Sequence, residues 1–485
     1  MSAVFPDLRR PQYPSSPEVL LSALAWSVVP RAEDGGKAGL IYERFAATKG
    51  VVIQQTKPPS SEMARFGEQL ASFGVRALGE PRYADVAEAV ATSLNGIRPL
   101  KGKGRASSAI GIAPALLQDP VGGLSAENPP NFAQLINTIY ALGGPNNGTT
   151  AAERWFEAAR HHASQAPLSG IERALASGTL ASLLRESDPW PPTKPISLKV
   201  SQPSDPPPWW IAEEHKNGYA TPFQWFRVAW DRLCSPDWHE RLPARRWASW
   251  AICVLRHGLA FTFLWEANFF TEIARGVTSK EVDSETLARW AMVPVRPLVP
   301  YRRGSVSEMN VGSSINKSLA IGLACREAME ELIGEESHGF TSLVELIEAL
   351  RNRAGQAQRA ELARALTGPS AGSRLGNLQE TVRYSLLART AASQGDVDHY
   401  GMLKTMNRNY THVLPGAEWI VVMAAMAAPR PDSVVRLGDV MQSIKALGFQ
   451  PRIDFLLAEL ERAGLCASSP DGDEGIEINL GFGRG

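Results

Sequence analysis

Seven arginines, Arg351, Arg353, Arg359, Arg364, Arg374, Arg383 and Arg389, fall within 39 consecutive positions, and only Glu361 and Glu380 oppose them there. A planar guanidinium offers two parallel donors to a phosphate. A local charge of +5 in a chain whose 50 basic and 50 acidic residues cancel therefore marks this stretch as a candidate for phosphate contact. Lys404 and Arg408 extend it, and Arg452 adds a further cation near the C-terminal end. Two short basic stretches, Lys101-Gly102-Lys103-Gly104-Arg105 and Arg302-Arg303-Gly304-Ser305, add to the same chemistry. The competing use of such arginines is a solvated helix face paired with acids elsewhere, for which Glu327, Glu330, Glu331, Glu335 and Glu336 are the nearest supply.

Other groupings point to less. Asp396-Val397-Asp398-His399 brings two carboxylates and an imidazole together. A catalytic metal needs three ligands in fixed geometry, and no second histidine lies close by, so no metal is expected. Gly312-Ser313-Ser314-Ile315-Asn316-Lys317-Ser318 lacks the spacing of a phosphate-binding loop, in which Gly directly precedes Lys. It reads as a Ser-rich helix N-terminus, and no cofactor is expected. The four cysteines, Cys234, Cys253, Cys325 and Cys466, form no CxxC pair, and scattered single thiols fit a reducing, cytoplasmic setting. No nucleophile elbow, zinc-protease or dinucleotide pattern is present. An enzyme would need an unrecognised site, near His257, Glu266 or the Asp396–His412 stretch.

These groups must be positioned by a core, and Pro243–Gly276 supplies its centre. The stretch has no internal proline and is apolar on every side, which predicts one long helix buried in protein or lipid. Arg256 and His257 lie near its middle, and a charge at bilayer mid-depth costs roughly 2.5–3.5 kcal/mol. A protein core and no membrane partner are therefore expected. Glu266 is too far along the helix to meet Arg256, so Arg256 requires an acid from another element.

Helices are predicted over Ser61–Phe73, Tyr83–Leu94, Asn131–Leu142 and Thr150–Ala163, the last opening on a Thr150/Glu153 capping box. A short strand is predicted at Gly50–Gln54 and a long loop over Pro99–Gly123. Eight prolines between Ser187 and Pro208 mark a semi-rigid linker. The expected organisation is an N-terminal helical domain (1–186), the linker (187–208), a central Trp- and Arg-rich helical domain (209–413) and a C-terminal domain (414–485). A helix from about Asn316 to Ile333 and a helical region from Ser342 to Ser393 belong to the central part. The fold class is mainly α.

In the C-terminal part, Pro415–Ala428 reads as a buried helix, Val435–Leu447 as an amphipathic one ended by Gly448, and Pro451–Ala463 as a third. Strands Leu465–Ser468 and Gly475–Leu480 follow, joined at Pro470-Asp471-Gly472. Three helices and a hairpin, with Leu457-Ala458-Glu459-Leu460-Glu461-Arg462-Ala463-Gly464-Leu465 at the junction, resemble a winged helix-turn-helix domain over about residues 414–482. That resemblance implies a third helix able to enter a major groove. Its tip, Asp471-Gly472-Asp473-Glu474, is acidic, which suits a protein partner better than phosphate. The general organisation is similar to accessory subunits of bacterial phage-defence systems. The expected function is a non-catalytic subunit of a multi-protein assembly, holding double-stranded DNA through the arginine-rich stretch and a protein partner through the C-terminal module. The alternative is a helical protein–protein scaffold without a nucleic-acid role.

Overall fold

The long apolar run folds as expected, into a single 35-residue helix, Ala244–Thr278, around which the described remainder is arranged. The computed structural model describes residues 8, 11, 17–18, 20–21, 24, 44–46, 53–55, 132–145, 148–165, 220–279, 281–299, 310–333, 340–368, 375–388, 397–406, 410–466 and 475–481. The expected helices at 61–73 and 83–94, the loop at 99–123, the linker at 187–208 and the basic stretches at 101–105 and 302–305 lie outside these residues, as do Arg374, Arg389 and Arg408.

The protein is mainly α-helical. Strands β1 (Arg44–Ala46) and β2 (Ile53–Gln55) pair antiparallel ahead of helices α1 (Phe132–Leu142) and α2 (Ala151–Gln165). The Thr150/Glu153 capping box is formed, each side chain accepting from the other's backbone N–H. Helices α3 (Pro222–Leu233) and α4 (Pro236–His239) then lead into the central helix, α5. It is followed by α6 (Ser284–Met292), α7 (Val311–Ile333), α8 (Leu343–Arg353), α9 (Gln356–Thr367) and α10 (Gly376–Leu386).

Helix α5 is buried on all faces, with Trp247, Trp250, Phe261, Trp265 and Phe270 inaccessible to solvent. It packs against α1, α3 and α6 to α10. The run is long and apolar enough to cross a membrane, and 89% of its 18-residue apolar window is buried inside the protein. Trp155 of α2 stacks on Trp247 at 3.9 Å between ring centroids, and Phe223 of α3 meets Trp265 edge-on at 5.4 Å. Contact with α7 is closest where Gly322 faces Ala267: a Cβ at Gly322 would lie 2.3 Å from the Ala267 Cα, so the approach requires glycine. Helix α7 begins at Val311, earlier than expected, and takes the whole Gly312–Ser318 stretch into its first two turns.

Strands β3 (Leu403–Met406) and β4 (Tyr410–Val413) form an antiparallel ribbon that the sequence reading did not anticipate. Its residues Leu403, Thr411 and Val413 turn inward and are buried. Next come α11 (Trp419–Ala427), β5 (Val435–Arg436), α12 (Leu437–Leu447), α13 (Ile453–Arg462) and β6 (Glu477–Ile478). Gly448, at φ +100°, ends α12 in the left-handed conformation. The terminal strand takes β5 as its ladder partner, pairing Val435 with Ile478 and Arg436 with Glu477. The 465–468 segment, expected to be that partner, contributes the Leu465 carbonyl, which accepts from Asn479 N–H at 2.7 Å. Helices α11 and α12 both pack on α3 and α5.

Candidate functional site

Of the described arginines of the 351–389 stretch, Arg351, Arg353 and Arg359 bond to backbone carbonyls; Arg351 and Arg359 are half-buried, while Arg353 is exposed. Arg351 donates Nε to the Gly276 carbonyl (3.0 Å), Nη2 to the Val282 carbonyl (2.5 Å) and Nη1 to the Ser284 hydroxyl (2.9 Å). Arg353 donates to the Ile333 carbonyl at 3.2 Å. Arg359 donates to the Arg351 and Ala354 carbonyls, both at 2.9 Å. The physical reason lies in the acceptors. Gly276 is in the last turn of α5, Ile333 ends α7, and Arg351 and Ala354 sit at the end of α8. The last four carbonyls of a helix have no intrahelical donor and carry the negative end of its dipole. Guanidinium satisfies both needs at once.

The same device recurs elsewhere. Arg227 donates to the Tyr140 carbonyl at the end of α1, and Arg232 to the Met426 carbonyl at the end of α11. Of the remaining candidates, Arg364 is exposed on α9, and Lys404 is exposed on β3 opposite His412. Burial and the neighbouring Lys404 ammonium push the His412 imidazolium pKa down. Arg452 is mostly exposed and pairs with Asp454 at 3.1 Å. Arg383 is half-buried on α10, and its Nε finds no hydrogen-bond partner among the described residues. The structure does not gather Arg364, Lys404 and Arg452 on one element: they stand on α9, on β3 and at the start of α13.

Arg256 and His257, side by side in α5, are each fully engaged. Arg256 donates Nη1 to both carboxylate oxygens of Asp398, at 2.8 and 3.0 Å. Its Nε and Nη2 reach the Ser385 and Leu387 carbonyls at the end of α10, at 2.5 and 2.6 Å. The expected buried ion pair is thus formed, and Asp398 is its acid. That carboxylate also accepts the Tyr400 N–H. Among the described residues no group of three His, Cys, Asp or Glu side chains is placed to hold a metal ion.

Trp419 donates its indole N–H to His257 Nε2 at 3.0 Å. Indole nitrogen can only donate, so Nε2 is unprotonated and Nδ1 carries the hydrogen, donating to the Cys253 carbonyl at 2.7 Å. Burial and the adjacent guanidinium push the imidazole pKa down to about 3, which keeps it neutral. Burial also raises the Cys253 thiol far above its ordinary range, so it remains protonated. Glu266 accepts from Arg326 at 3.1 Å and from the Leu8 backbone N–H at 3.3 Å. Among the described residues, the three groups of the alternative enzyme reading therefore do not converge in one open pocket. Glu266 faces α7 and the N-terminal segment, while Arg256 and His257 face α10 and α11.

No protein-family model, curated protein or solved structure matches this chain.

Proposed function

We propose that this chain is a non-catalytic helical interaction scaffold that docks a protein partner through the module at residues 414–481, read as a winged helix. The observation that carries the scaffold reading is the use made of arginine. Arg351, Arg353 and Arg359 spend donors on helix-terminal carbonyls and on Ser284, and so join α5, α6, α7 and α9 to α8. A guanidinium held this way stabilises packing and has fewer donors left for a phosphate.

The winged-helix reading is supported by the order helix, strand, helix, helix, strand, in which the strand between the first two helices pairs with the last. Helix α13 leaves Arg452, Ile453, Asp454 and Ala458 facing outward. On its outer side Asp454 and Glu461 balance Arg452 and Arg462, leaving no net positive charge, and counterion release from a duplex needs cations. A mixed-sign surface with an exposed isoleucine suits a protein partner better.

A second reading, a DNA-associated subunit of the phage-defence kind, is favoured by the solvent-facing Arg364, Lys404 and Arg452. Anisotropy of a labelled duplex across a salt series separates the two. The scaffold reading expects no saturable binding at low salt, either to the wild-type chain or to the triple variant Arg364→Ala, Lys404→Ala, Arg452→Ala. Saturable binding that weakens steeply with salt overturns it, and a shallower slope in the variant would place the phosphate contacts on those cations.

A further inference from the structure

Three of the eight large hydrophobic side chains left exposed among the described residues belong to the β3–β4 ribbon and the residue after it: Met406 (49% exposed), Tyr410 (40%) and Leu414 (38%). The pairing of the strands brings them together. Met406 lies directly opposite Tyr410, and Lys404 opposite His412. Leu414 continues the ladder, its N–H donating to the Met402 carbonyl at 3.1 Å. Residues directly opposite, or two apart along a strand, point to the same side of a ribbon. Lys404, Met406, Tyr410, His412 and Leu414 therefore share one face. The other face packs on α7, where Thr411 lies against Gly312 and bonds across the ribbon to Thr405 at 3.2 Å. A single exposed apolar residue needs no explanation, but a cluster on one face does.

Charge and backbone geometry narrow the occupant. Residues 399–417 contain Lys404 and Arg408 and no aspartate or glutamate. The acids on either side are already engaged, Asp398 by Arg256 and Glu418 by Arg246 at 3.2 Å. The ribbon is thus apolar and positive, with no acid of its own. Strand addition is disfavoured because each edge has a partner: the Thr411 N–H donates to Asn310 Oδ1 at 3.4 Å, and the Leu403 carbonyl accepts from the Ala388 N–H at 2.6 Å. Recognition then runs through side chains. Paired strands stand about 4.8 Å apart, and a helix about 10 Å across covers both. A nucleic-acid strand asks for a row of cations and aromatic platforms, whereas the described face offers Lys404 and Tyr410 beside two aliphatic side chains. The face is also continuous with the C-terminal module, since Arg462 of α13 donates to the Pro415 carbonyl at 3.1 Å, next to Leu414.

We propose that the outer face of the β3–β4 ribbon docks an amphipathic helix of a protein partner, its apolar stripe against Met406, Tyr410 and Leu414 and an acidic side chain against Lys404. The ribbon becomes the middle layer between α7 and the partner's helix, and apolar anchors three and four residues apart match its short face. This inference rests on reading the chain as a scaffold, and it extends the docking surface from the C-terminal module onto the ribbon.

The test is fluorescence anisotropy of the full chain with labelled synthetic peptides about 18 residues long, enough to form a helix. One carries a leucine stripe flanked by glutamates, a second has lysines in place of the glutamates, and a third scrambles the acidic sequence. Saturable binding of the acidic helix is expected, weakened at least about tenfold by Tyr410→Thr and by Met406→Thr and unchanged by Ile453→Asp on α13. Lys404→Glu should reverse the preference between the acidic and basic helices. Threonine keeps strand propensity, so circular dichroism and Tm should hold; should either threonine variant unfold, the Lys404→Glu reversal decides. No binding of the acidic helix, or equal binding of the scrambled peptide, overturns the proposal. Binding lost in Ile453→Asp and kept in Tyr410→Thr also overturns it, while the scaffold reading survives with docking on α13. Salt-sensitive binding of a labelled oligothymidylate that Tyr410→Thr abolishes makes the face a nucleic-acid surface and overturns both.

Discussion

Arg256 and Asp398 stand 142 residues apart in the chain and meet as a bidentate pair of which the side chains are 1% and 4% exposed. The pair fastens the middle of α5 to the segment that leads into the β3–β4 ribbon. Removing one partner leaves the other charged and buried, which typically costs about 3–5 kcal/mol. Asp398→Asn and Arg256→Met should each lower stability by that order in urea unfolding. The double variant Arg256→Met, Asp398→Leu should recover part of the loss, because neither charge then remains. Equal and additive losses would mean that the two residues are not coupled.

His257 should make the protein acid-sensitive. Its folded pKa is depressed, so between about 6.5 and about 3 the unfolded chain binds a proton that the folded chain does not. Stability from this group is fully present above pH 6.5 and is lost as the pH falls toward 3. The loss is on the order of 5 kcal/mol across the whole window. His257→Gln, which can still accept from Trp419, should show a shallower decline of Tm over that window. An unchanged decline would assign the acid sensitivity to other groups.

The arginines separate into two classes that denaturation can distinguish. Arg351→Ala removes three hydrogen bonds and strands the carbonyls of Gly276 and Val282, so a loss of about 2–4 kcal/mol is expected. Arg364→Ala, at an exposed position, should stay within about 0.5 kcal/mol of wild type. Comparable small effects at both positions would show that helix capping by Arg351 is dispensable.

The α5–α7 contact offers a steric test. Gly322→Ala places a methyl against the Ala267 backbone, where neither side can yield without moving a helix. A cost of about 2 kcal/mol or more is expected. Gly376→Ala, with no heavy atom within 4 Å of the added carbon, should be neutral or slightly stabilising.

What could be read in advance follows from which interactions are local. The central helix was legible because a long apolar run without proline has few alternatives, and Gly448 because a helix end needing φ > 0 selects glycine. The need of Arg256 for a distant acid could be stated, but Asp398 could not be named, since sequence spacing carries no information about a contact across 142 residues. The arginine-rich stretch was legible as charge and not as geometry: composition cannot distinguish a guanidinium facing water from one facing the end of a neighbouring helix. The β3–β4 ribbon was missed because its strands are four residues each and carry polar side chains outward.

The partners of α5 also arrive late. Trp419, which satisfies His257, lies 162 residues downstream of it. At about 5–20 residues per second of chain synthesis, the helix waits roughly 8 to 30 seconds on the ribosome before its partner emerges. Throughout that interval one of the most apolar surfaces in the molecule has no cover from α11, and for most of it, until Asp398 is made, Arg256 lacks its counter-charge. The nascent chain thus presents to the cell's chaperones a long, sticky helix of which the finished protein hides nearly all the apolar surface.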